Sequence, residues 1–98
     1  MTYKLVVSPE AETDIENAFE WYEDRADGLG MDFVFEAQSS IKKLSERPLS
    51  YPISLGKTRR ILLDRFPYSI YYTVIGETIK VTGCIHQRRS PRIWMSRK

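Results

Sequence analysis

Residues that build metal centres and disulfides are scarce in this chain. Its 98 residues include one cysteine, Cys84, and one histidine, His86. A lone cysteine cannot form an internal disulfide, and one histidine and one cysteine fall short of the ligand set of a zinc site. The neighbours of Cys84 are apolar, which is typical of an inert buried thiol rather than a nucleophile. We therefore expect neither a metal nor a cofactor.

Long apolar runs are also absent. No stretch of about 18 apolar residues occurs, so we expect no membrane-spanning helix. The apolar stretch near the N-terminus is too short for a signal peptide and runs directly into acidic residues. The length suits a single domain over residues 1–98, and we expect that domain to act in the cytoplasm.

Acidic side chains almost vanish from the second half of the sequence. Residues 1–49 carry 11 acidic and 5 basic side chains, whereas residues 50–98 carry 2 acidic and 10 basic ones. The net charge of +2 therefore combines one half of −6 with another of +8. Such a dipolar molecule attracts partners of opposite sign and associates with them faster.

The first half predicts a strand followed by two helices. Residues 3–7 are rich in aromatic and β-branched side chains, as strands are. Ser8 can cap a helix that begins at Pro9, where the missing N–H costs nothing. Two glycines at residues 27–30 interrupt the helical pattern, and a second helix is predicted for residues 31–45. The short break predicts an antiparallel helical hairpin, and the acidic side chains of the first helix are expected on a solvated face.

The second half predicts three strands. Residues 49–58 are expected to form a loop, and the strands are expected at residues 59–64, 68–75 and 78–86. Gly76 is the first residue of a two-residue connection, which fits a type II′ hairpin turn. The element order is therefore β-α-α-β-β-β. This order predicts an α+β fold in which the helical hairpin packs on one side of an antiparallel sheet.

The turn at Gly76 also predicts a register for the last two strands. If Ile75 opposes Thr78, one face of the hairpin is almost entirely apolar and should cover the helices. That face has the pairs Val74–Ile79, Tyr72–Val81, Ile70–Gly83 and Tyr68–Ile85. The other face has the pairs Thr73–Lys80, Tyr71–Thr82, Ser69–Cys84 and Pro67–His86. This second face can either meet water or bind a partner.

Candidate chemistry gathers towards the C-terminus. His86 ends the last strand, where a neutral imidazole can act as a general base or simply form a hydrogen bond. Arginines flank the first and last of the three strands: Arg59, Arg60, Arg65, Arg88, Arg89 and Arg92. If these two strands are neighbours, the guanidinium groups can bind phosphate or carboxylate together; otherwise they form a solvated basic edge. Trp94 either clamps the C-terminal segment onto the core or anchors an interface.

Three segments in this order resemble the RelE/ParE superfamily of bacterial type II toxins. They are residues 59–63 (Arg-Arg-Ile-Leu-Leu), 68–72 (Tyr-Ser-Ile-Tyr-Tyr) and 85–94 (Ile-His-Gln-Arg-Arg-Ser-Pro-Arg-Ile-Trp). The resemblance covers essentially the whole chain, including the strand-to-helix opening Ser8-Pro9-Glu10-Ala11. It implies a cytoplasmic toxin that is neutralised by the disordered segment of a cognate antitoxin encoded beside it.

The resemblance leaves two activities open. RelE-like members cleave mRNA in the ribosome with basic residues and, in some, a C-terminal tyrosine, whereas ParE-like members act on DNA gyrase. The arginine that follows the central-strand tyrosine in the ribonucleases is Ser69 here. The C-terminal tyrosine falls at about Trp94, whose indole cannot act as a base. The ParE branch is better matched by the spacing His86-x-x-Arg89-x-Pro91-x-x-Trp94.

We therefore expect a ParE-like toxin, of the kind linked to plasmid stabilisation, that inhibits growth by binding DNA gyrase. Its target contacts are expected at Arg88, Arg89, Arg92, Trp94, Arg59 and Arg60. In the alternative, a ribosome-dependent mRNA endoribonuclease, the catalytic groups would be His86, Arg88 and Arg65. A third possibility is a non-toxic relic that keeps the fold as a binding module. The acidic or amphipathic antitoxin segment is expected at Tyr71, Thr73, Lys80 and Tyr51.

Overall fold

Two helices and five strands make up residues 2–89, the part of the chain that the computed structural model describes. The elements are β1 (Lys4–Val7), α1 (Pro9–Glu23), α2 (Leu29–Leu44), β2 (Ile53–Leu55), β3 (Thr58–Leu62), β4 (Tyr68–Ile75) and β5 (Thr78–His86). The predicted α+β order is confirmed, and the segment predicted as a loop contains one additional short strand, β2. Arg92 and Trp94 lie outside the described residues. None of the helices within residues 2–89 is long and apolar enough to cross a membrane.

The five strands form one sheet in the order β1-β5-β4-β3-β2. Strands β2 to β5 pair in antiparallel fashion, as predicted, whereas β1 runs parallel to β5. A parallel pair needs a long crossover, and the helical hairpin together with the later strands supplies it. Because β4 separates β3 from β5, the two arginine-bearing strands are not neighbours.

Local capping explains where the helices begin. The Ser8 Oγ accepts a hydrogen bond from the Ala11 N–H at 3.1 Å, and Pro9 occupies the first turn of α1. The N-terminus of α2 has Gly28 at its cap, which offers no side chain. The Glu23 carboxylate replaces it and accepts hydrogen bonds from the N–H groups of Gly28, at 2.9 Å, and Gly30, at 3.0 Å. One side chain thus joins the end of α1 to the start of α2.

Gly30 lets the two helices approach closely at this junction. A Cβ atom at this position would lie 2.6 Å from the Phe19 carbonyl oxygen, well inside van der Waals contact. Any larger residue would therefore push the helices apart. The glycine at residue 30 fixes the hairpin geometry, and with it the position of α1 over the sheet.

The core between the helices and the sheet is centred on Phe33, which is fully buried. Its ring stacks on Tyr22, with centroids 5.5 Å apart, and meets Phe66 and Tyr68 edge-on at 5.2 and 5.0 Å. These distances are in the favourable range for aromatic pairs. Because Tyr68 begins β4, the aromatic cluster joins α1 and α2 to the end of the sheet at which this central strand starts.

The β4–β5 hairpin follows the predicted register only near its turn. Gly76 has φ of 59°, as a type II′ turn requires, and the pairs from Ile75–Thr78 to Tyr72–Val81 are as predicted. A β-bulge then shifts the register by one residue. The five remaining predicted pairings are therefore wrong, and the observed pairs are Tyr71–Gly83, Ile70–Cys84, Ser69–Ile85 and Tyr68–His86.

Packing explains the bulge. The predicted register would have placed Gly83 opposite Ile70, leaving the core without a side chain at that point. With the extra residue, Cys84 fills this position and is 2% exposed. Ile85 moves to the outer face of the sheet, where it packs with Tyr71.

Candidate functional site

A groove of about 550 Å³ lies between α1 and the ends of β4 and β5. It exists because β1 ends at Val7, whereas its neighbour β5 continues to His86. Beyond Val7 the chain turns into α1, which crosses near the uncovered edge of β5 without filling it. We call this feature the α1–β5 groove; its walls include Asp14, Asn17, Trp21, Tyr68, His86 and Arg89.

Asp14 takes the place of the missing strand along this edge. Its Oδ2 accepts a hydrogen bond at 3.0 Å from the Cys84 N–H, a backbone group that β1 does not reach. An unpaired buried N–H is costly, and a carboxylate acceptor satisfies it strongly. The prediction that the acidic side chains of α1 lie on a solvated face is therefore wrong for Asp14, which is half-buried and binds the backbone of β5.

Cys84 lies at the floor of the groove as a buried free thiol. Burial, reinforced by the nearby Asp14 carboxylate, raises the pKa of the Cys84 thiol to about 12. The thiolate is the nucleophilic form, so the folded protein keeps this sulfur unreactive at neutral pH. The structure confirms the buried position predicted from the apolar neighbours of Cys84.

We predict that iodoacetamide labels Cys84 in the folded protein at least roughly 100-fold more slowly than in the urea-unfolded chain at about pH 8, because burial raises the pKa of the thiol to about 12 and so lowers the fraction of reactive thiolate. The folded-state rate should rise with pH well beyond the pKa of an ordinary cysteine. Mass spectrometry of timed samples measures both rates. Similar rates in the folded and unfolded chains would contradict the prediction.

His86 shapes the rim of the groove through a turn. Its Nδ1 accepts a hydrogen bond from the Arg88 N–H at 3.1 Å, and its carbonyl oxygen accepts one from the Arg89 N–H at 2.9 Å. The ring also meets Tyr68 edge-on, with centroids 5.2 Å apart. A neutral imidazole whose Nδ1 is an acceptor carries its proton on Nε2, so the free nitrogen donates a hydrogen bond. This arrangement favours the hydrogen-bonding interpretation of His86 over the general-base one.

The described arginines do not form a single cluster. The Arg59 guanidinium donates to the carbonyl oxygens of Leu49 and Tyr51, at 3.1 and 2.7 Å, and so tethers the segment before β2. Arg65 forms an exposed ion pair with Asp32 of α2 at 3.5 Å, in a different groove from His86.

Among the arginines within residues 2–89, Arg88 and Arg89 are the ones that lie beside His86 at the end of β5, and both are exposed. Arg60 is also exposed but lies on β3, opposite Tyr71 of β4. We call His86, Arg88 and Arg89 the basic rim. Of the predicted catalytic candidates, the structure therefore brings His86 and Arg88 together and leaves Arg65 apart.

The side chains on the outer face of the sheet are less exposed to solvent than the sequence indicates. Tyr71 is 5% exposed, and Thr73 and Lys80 are half-buried. Tyr51 packs against the core, with its ring 6.5 Å from that of Tyr72. A role for these four residues in binding an antitoxin stays a prediction.

The sequence analysis did not predict that α1 forms one wall of the groove. Trp21 is half exposed there, and the Arg25 guanidinium carbon lies 3.3 Å from the centre of its ring. Arg25 also donates to the Trp21 carbonyl oxygen at 3.0 Å. The spacing of Asp14, Ala18 and Trp21 along one helical face was the available signal, because residues three and four apart share a face.

Comparisons with known proteins identify the fold. No protein-family model and no curated protein sequence matches the chain. A chain of the chromosomal ParDE toxin–antitoxin system from P. aeruginosa is similar in structure, with a TM-score of 0.76 and 19% identity over 87% of this chain and 96% of that chain. The E. coli toxin RelE, as a double arginine-to-alanine mutant in the free state, is similar with a TM-score of 0.54 and 15% sequence identity. The match covers 90% of this chain and 86% of the RelE chain. The chain therefore has the predicted RelE/ParE fold and is nearer to the ParDE chain than to RelE.

Proposed function

We propose that this protein is the toxin of a type II toxin–antitoxin system of the ParE kind, acting in the cytoplasm. One observation carries the proposal: the fold matches a ParDE chain over nearly its whole length, and it matches RelE less closely. The proposed partner is a cognate antitoxin with an acidic or amphipathic segment. Such a segment suits the positive charge concentrated after residue 50.

We propose DNA gyrase as the target, and binding rather than bond-making as the mechanism. The basic rim supports this, because Arg88 and Arg89 are exposed and form no ion pair with another residue of 2–89. Exposed guanidinium groups can bind carboxylates on a protein partner in bidentate fashion, and arginine is enriched at interface hot spots. Arg92 and Trp94 lie three and five residues after Arg89 in the sequence and are proposed to extend this contact.

The ribonuclease alternative has weaker support. Catalysis of RNA cleavage needs a base that can accept the proton of the attacking hydroxyl. The Nδ1 of His86 is already occupied by the Arg88 N–H, and Arg65 lies on the α2 side of the fold, paired with Asp32. Both features favour a binding toxin.

Gyrase supercoiling assays with purified protein test the proposal. We expect inhibition at roughly stoichiometric toxin, and relief when the protein encoded beside the gene is added. No inhibition at well over stoichiometric toxin would contradict the gyrase target. Cleavage of mRNA within codons by toxin and translating ribosomes would instead support the ribonuclease. Normal growth on induction, with the folded protein present in the cell, would favour a non-toxic relic.

A further inference from the structure

The α1–β5 groove combines an apolar floor with a polar mouth. Its floor includes Ala18, Tyr22 and Cys84, all buried members of the main core. At the mouth, Trp21 remains half exposed although its ring is ordered by the stacked guanidinium of Arg25. A concave apolar site with a few polar groups at its edge is the usual form of a pocket that accepts a partner's side chain.

The edge of β5 inside the groove is closed to strand addition at Cys84. An extended peptide that joined this edge would need the Cys84 N–H, which Asp14 already binds at 3.0 Å. Inward-pointing charges are a common protection of sheet edges. The groove is therefore built to take a side chain from a partner rather than its backbone.

Two arginines at one end of the groove favour a partner that carries negative charge there. Arg89 lines the groove, and Arg88 adjoins it in the same turn. Because the Arg89 side chain forms part of the groove wall, its permanent positive charge acts at this end of the groove. An acidic residue beside an inserted apolar side chain would meet Arg89 at this end.

We infer that the α1–β5 groove receives an apolar side chain of the neutralising protein, with an acidic residue of the same segment against Arg89. The inference rests on the proposed function. It also gives neutralisation a physical route, because a segment seated in the groove covers Arg88 and Arg89 and so blocks the proposed target contact. Side-chain insertion into a desolvated pocket is the form that interface hot spots take.

Filling the mouth of the groove tests the inference. Asn17 is exposed and lines the groove, so Asn17→Phe should obstruct it without disturbing the core. The matched control is Gln38→Phe, which makes a similar amide-to-phenylalanine change at an exposed position of α2 outside the groove. Isothermal titration calorimetry with the protein encoded beside the gene should show affinity at least about tenfold lower for Asn17→Phe and unchanged for Gln38→Phe. Gyrase inhibition by Asn17→Phe should be retained.

Three results would overturn the inference. Unchanged affinity in folded Asn17→Phe would mean that the partner binds elsewhere. Loss of both partner binding and gyrase inhibition, with an intact circular dichroism spectrum, would assign the groove to the target. If no neighbouring protein binds and gyrase is unaffected, the proposed function fails. In that case the groove is tested on its own by NMR titration with the peptide acetyl-Glu-Leu-Phe-Glu-amide. Saturable chemical-shift changes at Asn17, Trp21 and Arg89 would support a groove that binds an apolar side chain beside an acidic one. No chemical-shift change at these residues would contradict it.

Discussion

Reversing the charge of Arg88 and Arg89 together should weaken gyrase inhibition by about 100-fold or more. Removing one partner of a charge pair that is buried and hydrogen-bonded in an interface costs about 2–5 kcal/mol, and each 1.4 kcal/mol is about tenfold in affinity. The fold should survive Arg88→Glu with Arg89→Glu, because both side chains are exposed and their hydrogen bonds to His86 come from the backbone. Supercoiling assays over a range of toxin concentrations measure the effect.

A matched double variant separates a specific contact from net charge. Lys42→Glu with Arg47→Glu changes the charge by the same amount at exposed positions near the end of α2, far along the chain from the basic rim. It should inhibit gyrase nearly as well as the unaltered protein. Equal losses in the two double variants would mean that long-range electrostatic attraction, which salt screens, accounts for the effect. Full inhibition by the Arg88 and Arg89 variant would remove the basic rim from the proposed contact.

The parts of the fold that local chemistry controls could be predicted from the sequence. Ser8 and Pro9 place the start of α1 because capping depends on neighbouring residues only. The bounds of β4 and β5 agree with the prediction, since a two-residue turn at Gly76 and alternating side chains specify both strands. The helical hairpin follows in the same way from a short break between two amphipathic segments.

Features that depend on residues far apart in the sequence could not be predicted from it. The bulge in β5 arises because the core opposite Ile70 must be filled, which the hairpin sequence alone does not reveal; Gly83 within the strand was the only local sign. The groove depends on β1 ending before β5 does, and that requires knowing that the two strands pair in parallel. The hydrogen bonds of the Arg59 guanidinium to two backbone carbonyls, 8 and 10 residues earlier, are a further example, because they depend on how the segment before β2 folds back. A target contact at Arg59 stays a prediction.

Replacing Phe33 by alanine should lower the free energy of unfolding by about 3–5 kcal/mol. Its ring is fully buried and meets Tyr22, Phe66 and Tyr68, so its removal leaves a cavity at the centre of the aromatic cluster. A domain of this size has a total stability of about 5–15 kcal/mol, so the variant should be close to unfolding at growth temperature. The midpoint of urea unfolding should fall with an unchanged slope, and Tm should fall by at least roughly 12 °C.

Phe35 provides a control on the same helix two residues away. It is 62% exposed, so Phe35→Ala should change stability by no more than about 0.5 kcal/mol. Phe33→Leu should fall between the two, since it restores part of the lost volume. Because Phe33 packs on Tyr68, whose ring contacts His86, the alanine variant should also loosen the basic rim before global unfolding. Amide exchange at Arg88 and Arg89 would detect this loosening, and similar stability losses in the Phe33 and Phe35 variants would contradict a core centred on Phe33.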